Sequence, residues 1–177
     1  EPILDWYETL MWMKENLPDN AIVCSWWDYG YWITIIGNKT TLADNGTINM
    51  TQIQNIAKMF LSNETEAIKI LESYDTTHVV VFTTFTSDGR SVGYGEEGKW
   101  RWMAKIAGLN ETDYFKDGDW TALGKETVIY KLMTYGIETK LMGISTIHLE
   151  HFEKAYFSQG KNYGGIIPLV CVYKVSY

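Results

Sequence analysis

The sequence predicts an α/β fold: a single mixed domain with a small sheet flanked by helices. Short apolar runs, of which His78–Phe85 (HVVVFTTF) is the strongest, alternate with stretches whose apolar residues recur at helical spacing. The 177 residues are enough to bury one sizeable core. No internal repeat, low-complexity tract or linker divides the chain, so residues 1–177 read as one domain.

Taken in order, Ile3, Tyr7, Leu10, Met11, Lys14 and Leu17 have helical spacing after Pro2, and Pro18 ends the run. Ala21–Ser25 reads as a buried strand. Tyr29–Gly37 reads as a turn into a short helix, and Thr40–Ala43 as a second short strand. From Thr47 to Leu61, Ile53, Ile56, Ala57 and Phe60 mark one helix face. Asn63-Glu64-Thr65-Glu66 has the form of a capping box that opens another helix. After the strand His78–Phe85, a helix is expected over Glu96–Ala107 with Gly108 as its stop, and one over Ala122–Tyr135 stopping at Gly136. Leu169–Val175 is the last strand, next to the glycine-rich turn Gly160–Gly165.

The formal charge of −7 argues against a nucleic-acid partner, because phosphate binding needs a positive face. Aromatic residues make up 15% of the chain, which favours a packed fold over disorder. No apolar stretch reaches the length needed to cross a bilayer. The chain opens at Glu1-Pro2 without Met or a signal-peptide pattern, and reads as a mature product or an excised piece of a longer protein. Cys24 and Cys171 fit neither a zinc site nor a redox pair and read as two small buried hydrophobes; a disulfide between them is the alternative. His148, Glu150 and His151 read as a solvated face, because their spacing is poor for a metal.

Three constellations bear on function. The first is Trp26-Trp27-Asp28-Tyr29-Gly30, where indole N–H donors, a carboxylate acceptor, an apolar wall and a flexible backbone together suit the grip of a small hydroxyl-bearing group. A core edge with a solvated Asp28 is the alternative. The second is Glu96-x-x-Lys99-x-x-x-Met103, whose spacing puts three side chains on one helix face; the alternative is an ordinary amphipathic helix. Gly93, Gly95 and Gly98 point to mobility around it. The third is a set of Asn-x-Thr triplets at Asn38, Asn45, Asn49, Asn63 and Asn110, which are candidate N-glycosylation sites or simply caps and turns. No Gly-rich phosphate loop followed by Lys, no Gly-x-Ser-x-Gly elbow and no persuasive acid/base pair is present.

The run Trp26–Gly30, followed by Tyr31-Trp32-Ile33 and then Thr41-Leu42-Ala43-Asp44-Asn45, resembles the C-terminal domain of the oligosaccharyltransferase catalytic subunit, in its archaeal form. The likeness continues through Asn49–Leu61, His78–Phe85, Trp102–Ile106, Ile129–Leu132 and the closing strand. The second constellation looks like the family's Asp-x-x-Lys-x-x-x-Met motif (the DK motif), with Glu96 where Asp is usual.

The resemblance implies a membrane-bound glycosyltransferase that moves a dolichol-linked oligosaccharide onto the Asn of Asn-x-Ser/Thr in an acceptor polypeptide. It implies that this chain is the C-terminal piece of a polytopic protein and lies on the extracytoplasmic face of the cell membrane. By the same resemblance Trp26, Trp27, Asp28, Lys99 and Met103 bind the acceptor Ser or Thr, with Tyr29, Gly30 and Glu96 in support. No catalytic residue, metal or cofactor is then expected in this chain. A manganese or magnesium ion is expected in the full-length enzyme, whose N-terminal transmembrane region is this chain's partner. The alternative from another class is a free-standing carbohydrate-binding module that uses Trp and Tyr faces as platforms.

Overall fold

The computed structural model describes residues 3–42 and 49–177. Helix α1 (Leu4–Asn16) leads into strand β1 (Ile22–Cys24), a 3-10 turn (Trp27–Tyr29), helix α2 (Gly30–Ile35) and strand β2 (Thr40–Thr41). Helices α3 (Met50–Phe60) and α4 (Glu64–Ser73) precede strand β3 (His78–Phe85). A second 3-10 turn (Glu96–Gly98) opens helix α5 (Trp100–Ala107). Next come a small hairpin of β4 (Phe115–Lys116) and β5 (Asp119–Trp120), then helices α6 (Ala122–Lys125) and α7 (Val128–Met142). Strands β6 (Phe152–Phe157) and β7 (Ile167–Val175) close the chain.

The main sheet has the order β2-β1-β3-β7-β6, so the mixed α/β architecture read from the sequence is the one observed. Strand β1 runs parallel to both β2 and β3, while β7 is antiparallel to β3 and β6. All eight residues of β3 are buried, as a strand covered on both faces must be. Helix α1 packs on β7 from one side, and α7 packs on β3 and β7 from the other. Gly136 makes that second contact possible. A Cβ there would lie 2.6 Å from Cys171 Sγ, so α7 approaches β7 only because the side chain is missing.

This close approach corrects the helix expected over Ala122–Tyr135. Gly136 lies inside α7, and the helix stops at Gly143, which has φ 78°. The break comes earlier, where Thr127 caps α7 by accepting from the N–H of Tyr130. The expected helix Glu96–Ala107 is likewise shorter, since Glu96–Gly98 is a 3-10 turn and Lys99 is the junction; Gly108 does stop it, at φ 73°. Strand β6 and the β4–β5 hairpin were not anticipated, because neither has clean apolar alternation. At α4, Asn63 Oδ1 accepts from Glu66 N at 2.9 Å, but among the described residues Glu66 pairs with Lys69 and makes no return bond to Asn63. The expected strand Thr40–Ala43 is seen as Thr40–Thr41, and Ala43, Asp44 and Asn45 lie outside the described residues. Cys24 and Cys171 are buried and unpaired.

Candidate functional site

The chain leaves β1 at Cys24 and turns at once. The carbonyl of Trp26 accepts from Tyr29 N at 3.1 Å, which closes a 3-10 turn at the end of a strand. Residues on such a turn cannot all face one way. Trp26, still extended at φ −61° and ψ 143°, goes into the core and is 3% exposed, while Trp27 and Asp28 reach the surface in part. Tyr29 returns inward at 4% exposure and stacks on Trp6 of α1 with a ring separation of 4.6 Å. Gly30 takes an ordinary helical conformation (φ −57°, ψ −38°) as the first residue of α2, so the flexible backbone expected there is not used.

The second constellation arrives from β3. Gly95 lies so close to this strand that a Cβ would sit 2.4 Å from Phe82 O, and a Cβ on Gly98 would sit 2.0 Å from Gly93 O. Gly95 and Gly98 thus serve close packing, whereas Gly93, at φ 112°, has open space where a Cβ would lie. Packed this tightly, Glu96 is fully buried and accepts from Phe82 N through Oε2 and from the Tyr29 hydroxyl through Oε1, the latter at 2.7 Å. Glu97 turns the other way. Its carboxylate accepts from Thr83 Oγ1, Thr84 N, Gly93 N and Gly95 N, and so ties the loop to the strand.

Lys99 joins the two turns. Its Nζ donates to Asp28 Oδ2 at 3.0 Å and to the Tyr29 hydroxyl at 2.8 Å. A relay Asp28–Lys99–Tyr29–Glu96 therefore links the surface to β3, with the phenol accepting from the ammonium and donating to the carboxyl. Burial pushes the Glu96 carboxyl up to about 8, against the pull of Phe82 N–H, the Tyr29 hydroxyl and Lys99. Near neutral pH Glu96 is thus largely uncharged, and Asp28 is the carboxylate that holds the ammonium. Burial and the neighbouring Glu96 raise the Tyr29 phenol far above its usual range, so it stays a neutral donor. The Asp28 and Lys99 side chains are 36% and 27% exposed, which limits the pair to about 1 kcal/mol of stability. Its chief effect is to fix where Asp28 points.

Asp28, Lys99, Tyr29 and Glu96 are thus brought together, with Trp27 on the same turn as Asp28. Met103 is not part of an open slot: it is 0% exposed, and like Trp26 it belongs to the core. Trp26 and Met103 are thus closed off from solvent, unlike Trp27 and Asp28, with which they were expected to frame a slot for the acceptor residue. The physical reason is that Lys99 ends the 3-10 turn, so Met103 follows on the inward face of α5. Sequence reading missed Glu97 and Trp6, since neither lies in a recognisable spacing.

The remaining sequence candidates are scattered. Asn38, Asn49, Asn63 and Asn110 are exposed, and Asn49, Asn63 and Asn110 each accept a backbone N–H through Oδ1 as caps; Asn45 lies outside the described residues. Among the described residues no group of His, Cys, Asp and Glu is placed to hold a metal ion, and no helix is long and apolar enough to cross a membrane. Trp102 is the one tryptophan among the strongly exposed large hydrophobic residues described, a thin platform for stacking sugars.

Comparisons with known proteins bear on this geometry. Residues 19–86, which include both the turn at Asp28 and strand β3, match the STT3/PglB/AglB core domain. The chain is 32% identical, over 86% of its length, to the dolichyl-diphosphooligosaccharide–protein glycosyltransferase subunit STT3B of Arabidopsis thaliana, and spans 24% of that protein. It is 37% identical over 66% of its length to the STT3B subunit of Oryza sativa subsp. japonica, of which it spans 16%. The curated relatives are thus several times longer than this chain. Its structure is similar to the crystal structure of the C-terminal globular domain of an oligosaccharyltransferase from Archaeoglobus fulgidus, with a TM-score of 0.68, 29% identity and 99% of each chain covered.

Proposed function

We propose that this chain, which belongs to the STT3/PglB/AglB family, is the acceptor-recognition domain of a membrane-bound oligosaccharyltransferase. In this reading the whole protein, a dolichyl-(di)phosphooligosaccharide–protein glycosyltransferase, moves a dolichol-linked glycan onto the Asn of Asn-x-Ser/Thr. The domain, spanning residues 1–177 on the extracytoplasmic face, holds the hydroxyl residue two positions beyond that Asn. A manganese or magnesium ion and the lipid-linked glycan belong to the portion outside this chain, with the N-terminal transmembrane region. No step of that chemistry is assigned to residues here.

The observation that carries the reading is the half-exposed Asp28 carboxylate, aimed by Lys99 from a relay that is anchored on β3. Asp28 accepts the hydrogen of the Ser or Thr hydroxyl, and Trp27 beside it lends an indole N–H and an apolar edge. Trp26 fixes the turn from the core, since it directly precedes Trp27 and Asp28, and Met103 is buried on α5, the helix that follows Lys99. A side chain without a hydroxyl leaves the desolvated carboxylate unmatched, at a cost of about 1–3 kcal/mol or more. The Thr methyl adds roughly 1 kcal/mol over Ser. Full-length enzyme given otherwise identical Asn-x-Thr, Asn-x-Ser and Asn-x-Val peptides should favour Thr over Ser mildly and reject Val. Turnover of the Val peptide at a rate close to that of Ser would falsify this role for Asp28. The exposed triplets at Asn38, Asn49, Asn63 and Asn110, together with Asn45, are proposed as sites the enzyme modifies on itself, which intact-mass measurement of native protein tests.

A further inference from the structure

Beside the relay lies a cleft of about 410 Å³ that the contacts described so far leave unused. It opens on the α1 side of the sheet, walled by Trp6, Tyr29, Trp32, Phe82 and Pro168, with Lys99 at its border. Two further aromatic residues lining it, Tyr94 and Tyr163, are 67% and 41% exposed. Large apolar area kept open in this way marks a surface meant to be covered.

The placing of two side chains specifies by what. Lys99, which donates to Asp28, also lines the cleft, as does Tyr29, whose hydroxyl accepts from Lys99. An occupant is therefore apolar in bulk and continuous with whatever sits on Asp28. An extended polypeptide meets both conditions, since its side chains on one face recur at about 7 Å.

We infer that this cleft receives a bulky apolar side chain of the acceptor polypeptide, from a residue within a few positions of the Ser or Thr. The inference rests on the acceptor-recognition reading and extends it to a second specificity pocket. Acceptors with an apolar residue at the matching position then bind more tightly than those with Ala there, independently of the hydroxyl grip.

The test uses full-length enzyme and a panel of Asn-x-Thr peptides carrying Ala, Leu or Phe in turn at the two positions on either side of the triplet. One position should show kcat/KM about tenfold higher or more for Leu or Phe than for Ala, through KM. Ile166→Trp, at a partly exposed lining position, fills the cleft and should erase that advantage, leaving Leu- and Phe-flanked peptides no better than Ala-flanked ones. Tyr163→Ala, which removes part of the wall, should reduce the advantage severalfold. The inference is overturned if wild type shows no flanking preference, or if the preference survives both substitutions. It is equally overturned if Ile166→Trp and Tyr163→Ala slow every peptide alike, which would mean that another part of the protein or a lipid covers the cleft. Selection of Thr over Val, read in the same assay, separates the two claims: it persists when only the pocket fails and disappears when the recognition reading itself fails.

Discussion

The turn Trp27–Tyr29 and the turn Glu96–Gly98 have the same 3-10 geometry and meet over Lys99, yet their acids stand in opposite settings. Asp28 is half-exposed and its recorded partner is one ammonium. Glu96 is fully buried between a backbone N–H and a phenol, and Glu97 gathers backbone and hydroxyl donors from β3 and its loop. An acid enclosed by donors from its own fold holds structure. One with capacity to spare is available to a ligand, provided something rigid aims it. The second turn supplies that rigidity and the first supplies the available group.

Four measurements test this division, the largest expected effect first. In the folded chain Glu96 keeps its proton to about pH 8, whereas the ordinary value is 4.5, so the folded state holds an extra proton between those values. The stability Glu96 contributes is complete below pH 4.5 and is lost as pH rises toward 8. Glu96→Gln cannot ionise, so its stability should fall on the order of 3–5 kcal/mol less than wild type across that interval in denaturant titrations. Parallel curves for the two would mean that Glu96 is ionised throughout. Glu97→Ala strands several donors at once and should lower stability by about 3 kcal/mol, or Tm by roughly 10 °C, in thermal unfolding of the chain.

On the available side the readout moves from stability to activity. Asp28→Ala should reduce glycosylation by full-length enzyme on the order of 100-fold while leaving Tm nearly unchanged, since the exposed pair contributes little to folding. A large loss of Tm would assign Asp28 to structure and collapse the contrast. Lys99→Ala should be milder, about tenfold in kcat/KM, because Asp28 survives but is no longer aimed. An effect as large as that of Asp28→Ala would make Lys99 a contact of the acceptor.

Much of this was legible beforehand, where the signal is local. Strand β3 was read at its observed ends, because eight consecutive β-prone residues admit little else. Asn63 was read as a cap because the bond it makes spans three residues. Pairing Trp26–Gly30 with Glu96–Met103 rested on resemblance alone, since a 71-residue separation between Asp28 and Lys99 leaves no periodicity to detect. What misled was treating spacing as direction. Trp26 and Met103 carry the right residue types at the right positions, yet both turn into the core. The glycines at 95, 98 and 136 were read as freedom or as stops, when each is a place where two backbones or a side chain come too close for a Cβ.

The sequence by itself determined most of the element types, the two motifs and an acidic, aromatic-rich chain, because these follow from neighbours a few residues apart. Only the tertiary structure decided which motif residues face solvent, that Tyr29 is the hinge between Lys99 and Glu96, and that an aromatic cleft opens beside them. Those outcomes depend on how closely α1, α5 and β3 approach one another. Such distances are set by competition among all buried side chains for the same volume, which no local stretch of the chain encodes.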